Sequence, residues 1–473
     1  MTRGPSAASA GAIPQEKPRP LSGRLAGLSL PRQVWVLSIW PLLEQYLNFL
    51  VGTVDIILAA DLEPAAVGVA ATDALGIAGY VTWLQGMLMG AVGIGAGALV
   101  SRAVGGGKGR LANAGTGQAI LLAVGMGLLM MVLLMVFAGA VSDLAGLEGT
   151  SRELAVSYLQ IVALSAVGNA VLFIGAACLR AAGDARTPFR IMVAVNLVNI
   201  GLSLLFVRGP EPIGGWGVAG IAAGTAVAWV VGAVLTLIVL VRGGSGVKLM
   251  AMWLRPHWHT MQRIVRVGIP QFLESVGIWL GNFAVLALVG RFVGDGLIGA
   301  HMIAIRIESI SFLGGFAVAQ AASTLVGQYL GAHDPRRASQ AALSCTAIGV
   351  GLMSLFGLAF VLVPTWLTGL FSDQPEHLAM TPELLWICGW VQPLFAVSIV
   401  ISAALRGAGD TKVTMWLSFL SLFGLRLPLV VFFGWYLELG LVGVWYGLCS
   451  EWIFRATLFY LRFWQGGWKR QAV

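Results

Sequence analysis

The chain has 473 residues, of which 58% are hydrophobic and only 11% charged, with a net charge of +8 and a mean hydropathy of +0.86. Soluble domains carry about 25% charged residues, so a water-soluble globule of this composition has nowhere to place its apolar surface, whereas a bilayer accepts it. A basic nucleic-acid binder is disfavoured too, because its cations would cluster on one face instead of alternating with apolar spans.

Residues 1–32 are rich in Ser, Ala, Gly and Pro, with Arg3, Lys17, Arg19 and Arg24 scattered among them, and read as a disordered cytoplasmic tail. Ala8-Ser9-Ala10 mimics a signal-peptidase site, but no apolar core precedes it. Twelve apolar stretches follow, near 34–60, 65–100, 113–140, 153–180, 187–207, 217–242, 264–291, 297–327, 337–371, 383–405, 413–435 and 440–464. They are long and continuous, as transmembrane helices are, and lack the alternation of barrel strands. Several exceed the roughly 20-residue minimum, which predicts tilted or kinked helices. The second span carries Gly86, Gly90, Gly93 and Gly97 at small-xxx-small spacing, which predicts close helix packing, with a bendable helix as the sharper reading. Between the sixth and seventh spans, the basic stretch 243–262 sets His257 and His259 among Trp253 and Trp258, which suits a membrane-surface segment better than a metal site. Cys178, Cys345, Cys388 and Cys449 fall in or at the ends of spans without metal-binding spacing and read as packing residues.

The two halves repeat each other. Leu179-Arg180-Ala181-Ala182-Gly183-Asp184-Ala185-Arg186-Thr187 returns 226 residues later as Leu405-Arg406-Gly407-Ala408-Gly409-Asp410-Thr411-Lys412-Val413, and Gly105 lands on Gly331 at the same spacing. Gly217-x-x-Gly220 returns as Gly440-x-x-Gly443 at 223, so three residues are lost in a loop between Thr187 and Gly217. An internal duplication of apolar spans is the signature of a transporter. Six spans per repeat is an even number, so both halves enter the membrane from one side. The expected fold is an all-α polytopic membrane protein, twelve transmembrane helices in two six-helix lobes related by a pseudo-two-fold axis along the membrane normal. The predicted lobes are 33–242 and 263–466, joined by a cytoplasmic linker 243–262 and followed by a cytoplasmic tail 467–473, with the cargo cavity between them.

Charge placement orients the chain. Loops on one side hold Arg102, Lys108, Arg110, Arg180, Arg186, Arg190, Lys248, Arg255, Arg263, Arg336, Arg337, Arg406, Lys412, Lys469 and Arg470. Loops on the other hold Asp61, Glu63, Asp143, Glu148, Glu211, Asp295, Asp373 and Glu376. The positive-inside pattern predicts an inner (plasma) membrane protein with both termini cytoplasmic. Lys108 lies in Gly105-Gly106-Gly107-Lys108-Gly109, but a phosphate-binding loop needs Ser or Thr after the lysine and a strand before it. An ATP-driven pump and an enzyme are therefore disfavoured, leaving ion gradients, or no energy input at all.

The chain resembles the multidrug and toxic compound extrusion (MATE) family of secondary transporters. The matching residues are Pro41-x-x-Glu44 with Val54-Asp55, Leu179-Arg180-x-x-Gly183-Asp184-x-x-Thr187-Pro188, Asn196-x-x-Asn199, Gly217-x-x-Gly220 and Pro270-x-x-x-Glu274. Ala300-His301-Met302-Ile303-Ala304-Ile305-Arg306-Ile307-Glu308, running on to Leu325-Val326-Gly327-Gln328, completes the match, which covers about residues 33–466. The resemblance implies efflux of organic cations and amphipathic drugs by antiport against H⁺ or Na⁺.

An ionised side chain inside a membrane costs about 2.5–3.5 kcal/mol on insertion scales, so each one asks for a reason. Asp55 has no basic neighbour in its span. In low-dielectric surroundings a carboxylate is suited to exchange a proton, and beside amide and hydroxyl oxygens it suits a hard cation such as Na⁺. The resemblance adds Asn199 and Thr225 to the same cation or proton network, and Asn196 shares the helical face of Asn199. Ser203 stands where one branch of the family has an aspartate, which removes a negative charge. Glu274 matches a glutamate implicated in coupling in another branch, but the partner acid expected near Gln392-Pro393 is missing; pairing with a base such as Arg306 is the alternative. Arg306 and Glu308 read as members of interhelical ion pairs, and Arg426 and Glu451 as partners of each other. Glu44, Asp73 and His301 are candidate cargo contacts. The expected protein is a monomeric antiporter that needs no cofactor beyond its coupling ion, H⁺ or Na⁺, with small-molecule drugs and membrane lipids as its partners and no nucleic acid. A lipid-linked saccharide flippase of a related superfamily is the alternative, disfavoured because it asks for a cationic cavity rather than intramembrane acids.

Overall fold

The structure, a computed structural model, describes residues 18–292 and 297–471. Asp295 and the tail residues Arg3 and Lys17 lie outside the described residues. The N-terminal half forms α1 (Leu30–Ala60), α2 (Ala65–Gly105), α3 (Gly109–Leu144), α4 (Gly149–Leu164), α5 (Ala166–Ala181), α6 (Arg186–Arg208) and α7 (Gly217–Arg242). The C-terminal half forms α8 (Trp258–Phe292), α9 (Leu297–Gly331), α10 (Pro335–Leu362), α11 (Pro364–Gly369), α12 (Pro375–Gly407), α13 (Thr411–Ser421), α14 (Leu427–Val431) and α15 (Gly440–Gln465). Prolines open α10, α11 and α12, where the first helical turn needs no amide donor. Left-handed glycines close α7 at Gly243 and α15 at Gly466.

Among the described residues, ten helical spans are long and apolar enough to cross a membrane, and the α4–α5 pair, bent by 57°, makes an eleventh. α15, 26 residues long, completes the twelve. Two spans differ from the sequence expectation. The stretch 153–180 is broken at Ser165, and 337–371 ends as a long helix at Leu362 before the short α11 restarts at Pro364; a proline drives the residue before it out of helical geometry. The eleventh span is also irregular. It passes through π-helical turns at Leu422–Arg426 and Phe432–Tyr436, the first of which contains Arg426.

The lobes are related by the duplication, and the seam between them shows the axis. A Cβ on Gly105 would collide with the carbonyl oxygen of Gln328, and one on Gly331 with that of Arg102. Arg102 and Gln328 are repeat mates, as are Gly105 and Gly331, so each half makes the same contact on the other. Ser101 meets its own mate, Gly327, on the axis. Glycines at these positions let backbones touch. Further along the seam, Gly95 lies against the carbonyl oxygen of Ile264 and Gly268 against that of Ala91. The glycine pattern read from the sequence is corrected here: Gly86, Gly90 and Gly97 face open space, and only Gly93 touches a neighbour, Ala177. The close approaches belong to Gly95 and Gly105 instead.

These contacts gather at one face, which also holds both ends of the described chain. The Arg19 amide donates to Ala332 O (2.9 Å), Arg24 pairs with Asp184 (2.7 Å), and Leu25 is buried in the core. At the other end Trp468 is fully buried against Phe463, and Gln471 bonds to Arg102 and Asp410. The tail expected to be disordered to residue 32 is therefore anchored from Arg19 and buried at Leu25, and the C-terminal segment is docked through Trp468. Composition signalled neither, because docking depends on a few anchors such as Leu25 and Trp468. The linker is likewise tied down: Gln118 donates to Trp253 O (2.7 Å) and Arg255 O (2.9 Å) and accepts from the His257 amide (2.8 Å).

Toward the far face the lobes part. α1 and α9 meet where Tyr46 donates to Ile310 O (3.0 Å) and the Arg306 guanidinium lies over the Phe49 ring (4.6 Å). Beyond them, Leu58 and Ala59 of α1 turn into the core of the N-terminal lobe, while Ala300 and Ala304 of α9 turn into that of the C-terminal lobe. Gly76 and Gly79 of α2 face open space on this side.

Candidate functional site

Asp55 stands five residues before the far-face end of α1. Around it Val54, Leu58, Leu75, Tyr158, Val218 and Ile221 form an apolar cluster drawn from α1, α2, α4 and α7. Its Oδ1 is buried and accepts no hydrogen bond. Among the described residues, Asp55 alone combines a buried carboxylate oxygen with the lack of any hydrogen bond or ion pair.

Neutral oxygens lie nearby. Asn199 on α6 donates its amide to Thr225 Oγ1 on α7 (2.9 Å), and Thr225 donates in turn to the Ile221 carbonyl (3.1 Å). The Asn199 carbonyl oxygen is then left buried and unpartnered. Both residues sit eight or nine positions, about 12 Å, from the far ends of their helices. Tyr158 of α4 connects the groups: its hydroxyl lies against Thr225 and within electrostatic reach of Asp55. Ser203, one turn beyond Asn199, is fully buried against Gly224 with its hydroxyl also unpartnered. Asn196 bonds instead to Asn48 of α1 (3.0 Å), tying α6 to α1 one turn deeper. Buried polar atoms without partners are rare in folded proteins. Three of them, at Asp55, Asn199 and Ser203, lie in the N-terminal lobe, and oxygens of this kind accept a proton or a hard cation.

Tyr158 and Asn48 were not singled out from the sequence. An aromatic residue in an apolar span reads as packing or an interfacial anchor, and nothing in the spacing marks Tyr158 as the bridge between α1 and α7.

The C-terminal lobe has no such opening. At the repeat spacings Asp55, Asn199 and Thr225 correspond to Gly281, Leu425 and Leu448. Its buried charges neutralise one another. Glu451 holds Arg426 (2.7 Å) and Arg455 (2.5 Å) and accepts from Ser421, as the Arg426–Glu451 pairing predicted in part. Arg426 also donates to Asn282 (2.8 Å), and Glu308 accepts from Cys388 (3.2 Å). Glu274 does not meet Arg306: it pairs with Arg406 (2.6 Å) and accepts from Ser418 (2.6 Å). Nor, among the described residues, does Arg306 form an ion pair; its guanidinium lies on Phe49 across the seam.

The three expected cargo contacts do not converge. Glu44 is paired with Arg180 (3.2 Å), the repeat mate of Arg406, so each lobe ties the arginine of its duplicated motif to a glutamate of its first helix. Asp73 is exposed on α2 beside Ser151 of α4 (3.5 Å). His301 is buried within the C-terminal lobe, where Trp445 donates to its Nδ1 (3.1 Å). Among the described residues no three His, Cys, Asp or Glu side chains gather as metal ligands, so a cation at Asp55 would rely on neutral oxygens.

Comparison with known proteins gives the same architecture. The family model described as MatE matches residues 42–205 and 270–432, one match in each half. The chain is 28% identical over 404 residues to a probable multidrug resistance protein NorM of Thermotoga maritima, covering 85% of this chain and 86% of that one. It is 24% identical over 318 residues to an uncharacterized transporter, YisQ, of Bacillus subtilis, covering 67% and 69%. The outward-facing structure of a multidrug resistance MATE family transporter superposes with a TM-score of 0.87 at 20% identity, covering 94% of this chain and 98% of that one. A crystal structure of MATE in the bent conformation gives 0.84 at 20% identity, covering 92% and 94%.

Proposed function

The chain belongs to the MatE family of multidrug efflux transporters, and from that premise we propose that it exports amphipathic, cationic small molecules across the inner membrane by antiport against H⁺ or Na⁺. Asp55 is the coupling residue, with Asn199, Thr225 and Ser203 supplying neutral oxygens and Tyr158 holding the pocket together. Glu274 serves to position the first helix of the C-terminal lobe through Arg406. The basic loops support a cytoplasmic terminal face, and on that reading the separated far ends correspond to an outward-open state. The lobe boundaries are 33–242 and 263–466, and the protein works as a monomer.

The observation that carries this reading is the unpartnered carboxylate of Asp55, because every other buried acid among the described residues of the spans already has a partner. An ion taken up from outside neutralises Asp55 and satisfies the open oxygens, which favours drawing the outer part of α1 against α6 and α7. That closure narrows the outer vestibule and displaces cargo. The lobes then rock, parting the contacts at Gly105 and Gly331, and loss of the ion to the cytoplasm resets the cycle. Differential ion affinity of the two states is all that is required.

Efflux of a fluorescent organic cation from proteoliposomes tests the proposal, with an imposed pH gradient in one arm and an imposed sodium gradient in the other. One gradient should drive efflux and the other should not. Equal cargo movement with neither gradient imposed would contradict antiport.

A further inference from the structure

Each lobe's first helix is preceded by a short 3₁₀ turn at nearly the repeat spacing, Gly23–Leu25 before α1 and Ala251–Leu254 before α8. Both turns reach across the seam. The second lies on the N-terminal lobe, where Trp253 O packs against Gly117 of α3 and accepts from Gln118. The first lies on the C-terminal lobe. There the Arg19 amide donates to Ala332 O after α9 (2.9 Å), and Leu25 is buried in an apolar cluster drawn mainly from that lobe, with Tyr329, Leu330, Leu405 and Phe463. Gln33 of α1 fixes the approach. Its amide donates to Leu25 O (3.2 Å) and Leu28 O (2.9 Å), and its oxygen accepts from the Tyr329 hydroxyl (2.7 Å). The same segment is held to its own lobe by Arg24, which pairs with Asp184 (2.7 Å) and donates to Gly244 O (2.8 Å), and by Ser22, which donates to Val104 O.

The two turns differ in how they are tethered. The linker is bound covalently to α7 and α8, so it spans the seam in every state. Among the described residues, the segment 19–29 continues into a lobe only through α1, and it grips the other lobe through contacts that can break: the Arg19 amide, Leu25 and the Gln33–Tyr329 pair. We propose that residues 19–29 form a releasable strap that holds the terminal face closed, and that the strap leaves the C-terminal lobe when Gly105 and Gly331 part. The proposal rests on the rocking-lobe reading above. Leu25 also packs against Gly183 of the N-terminal lobe, so it cannot keep both sets of neighbours once the lobes separate. Burial of one leucine together with two hydrogen bonds is enough to shift a two-state balance by a large factor. The strap therefore sets the fraction of molecules whose terminal face is closed.

The test uses the full chain in nanodiscs, with spin labels on Arg110→Cys and Arg336→Cys, exposed repeat mates at the terminal face; the native cysteines are buried. Gly331→Val, which wedges the seam, marks the longer distance of an open face. Leu25→Ser should raise the population at that distance about tenfold over the native chain. Arg19→Pro removes the amide donor without touching a buried side chain, and Pro20 already confines residue 19 to extended backbone. It should raise the open population about fivefold over Arg19→Ala, which loses the side chain alone. An unchanged distribution in Leu25→Ser, or no difference between Arg19→Pro and Arg19→Ala, would overturn the strap, and an open face in Gly331→Val would leave the rocking-lobe reading standing. Absence of a second distance in every variant, Gly331→Val included, would contradict that reading and the strap together. No ion gradient is imposed, so neither result bears on coupling at Asp55.

Discussion

Asp55 keeps a carboxylate in surroundings that offer its buried oxygen nothing to bond, a burial that costs several kcal/mol unless a proton or cation answers it. The neighbouring acids avoid that cost differently: Glu44, Glu274 and Glu451 each hold an arginine. Tyr158 is the residue that converts the isolated acid into a site. Tyr158→Phe keeps the ring in its apolar cluster and removes the hydroxyl between Asp55 and Thr225. Gradient-driven efflux should fall severalfold, the effect of one lost contact between neutral hydroxyls, about 1 kcal/mol, with expression unchanged; efflux at the native rate in proteoliposomes would remove Tyr158 from the network. Asp55 was legible in the sequence because a lone acid in an apolar span is conspicuous. Tyr158 was not, because what distinguishes it is the position of α4 against α7.

At the scale of elements, the two lobes use intramembrane charge in opposite ways. In the C-terminal lobe, Arg426 and Arg455 both converge on Glu451 and both lie over Trp452 (4.9 Å each). The π-helical turn at Leu422–Arg426 is the local irregularity that carries Arg426 to this partner. Glu451→Gln strands two buried guanidinium groups and should destabilise the protein by about 3–5 kcal/mol, seen as early loss of monodispersity on heating in detergent. A native-like melting profile would show that the network is dispensable. The arginine–glutamate partnership of this lobe could be anticipated in sequence, but Arg455 and the π-helical turn could not, since both depend on the path of the eleventh span. The seam makes a second demand at this scale. Gly331→Val places a side chain where the Arg102 carbonyl now lies, so the terminal face can no longer close. Cysteine labelling at that face should increase severalfold, and labelling unchanged from the native chain would show that the seam adapts.

For the whole molecule, the duplication made most of the architecture readable: the 226-residue spacing, the even number of spans and the alternation of charge between loops fix two parallel lobes. Contacts that join one half to the other were not readable, because neither half's pattern specifies its partner's surface. Hence Gly86 and Gly90 attracted attention while Gly95 and Gly105 make the seam, and the docked segments at both ends of the chain gave no compositional sign. The central claim is that ion occupancy at Asp55 decides which face of this two-lobed body is open. Spin labels on Ala66→Cys and Glu376→Cys, both exposed at the far face, report the opening directly; the native cysteines are all buried. In the native background, lowering pH or adding Na⁺ should shift the distance distribution between the labels toward shorter values, and Asp55→Asn should hold one distribution under every condition. The same ion-dependent shift in Asp55→Asn would contradict the account.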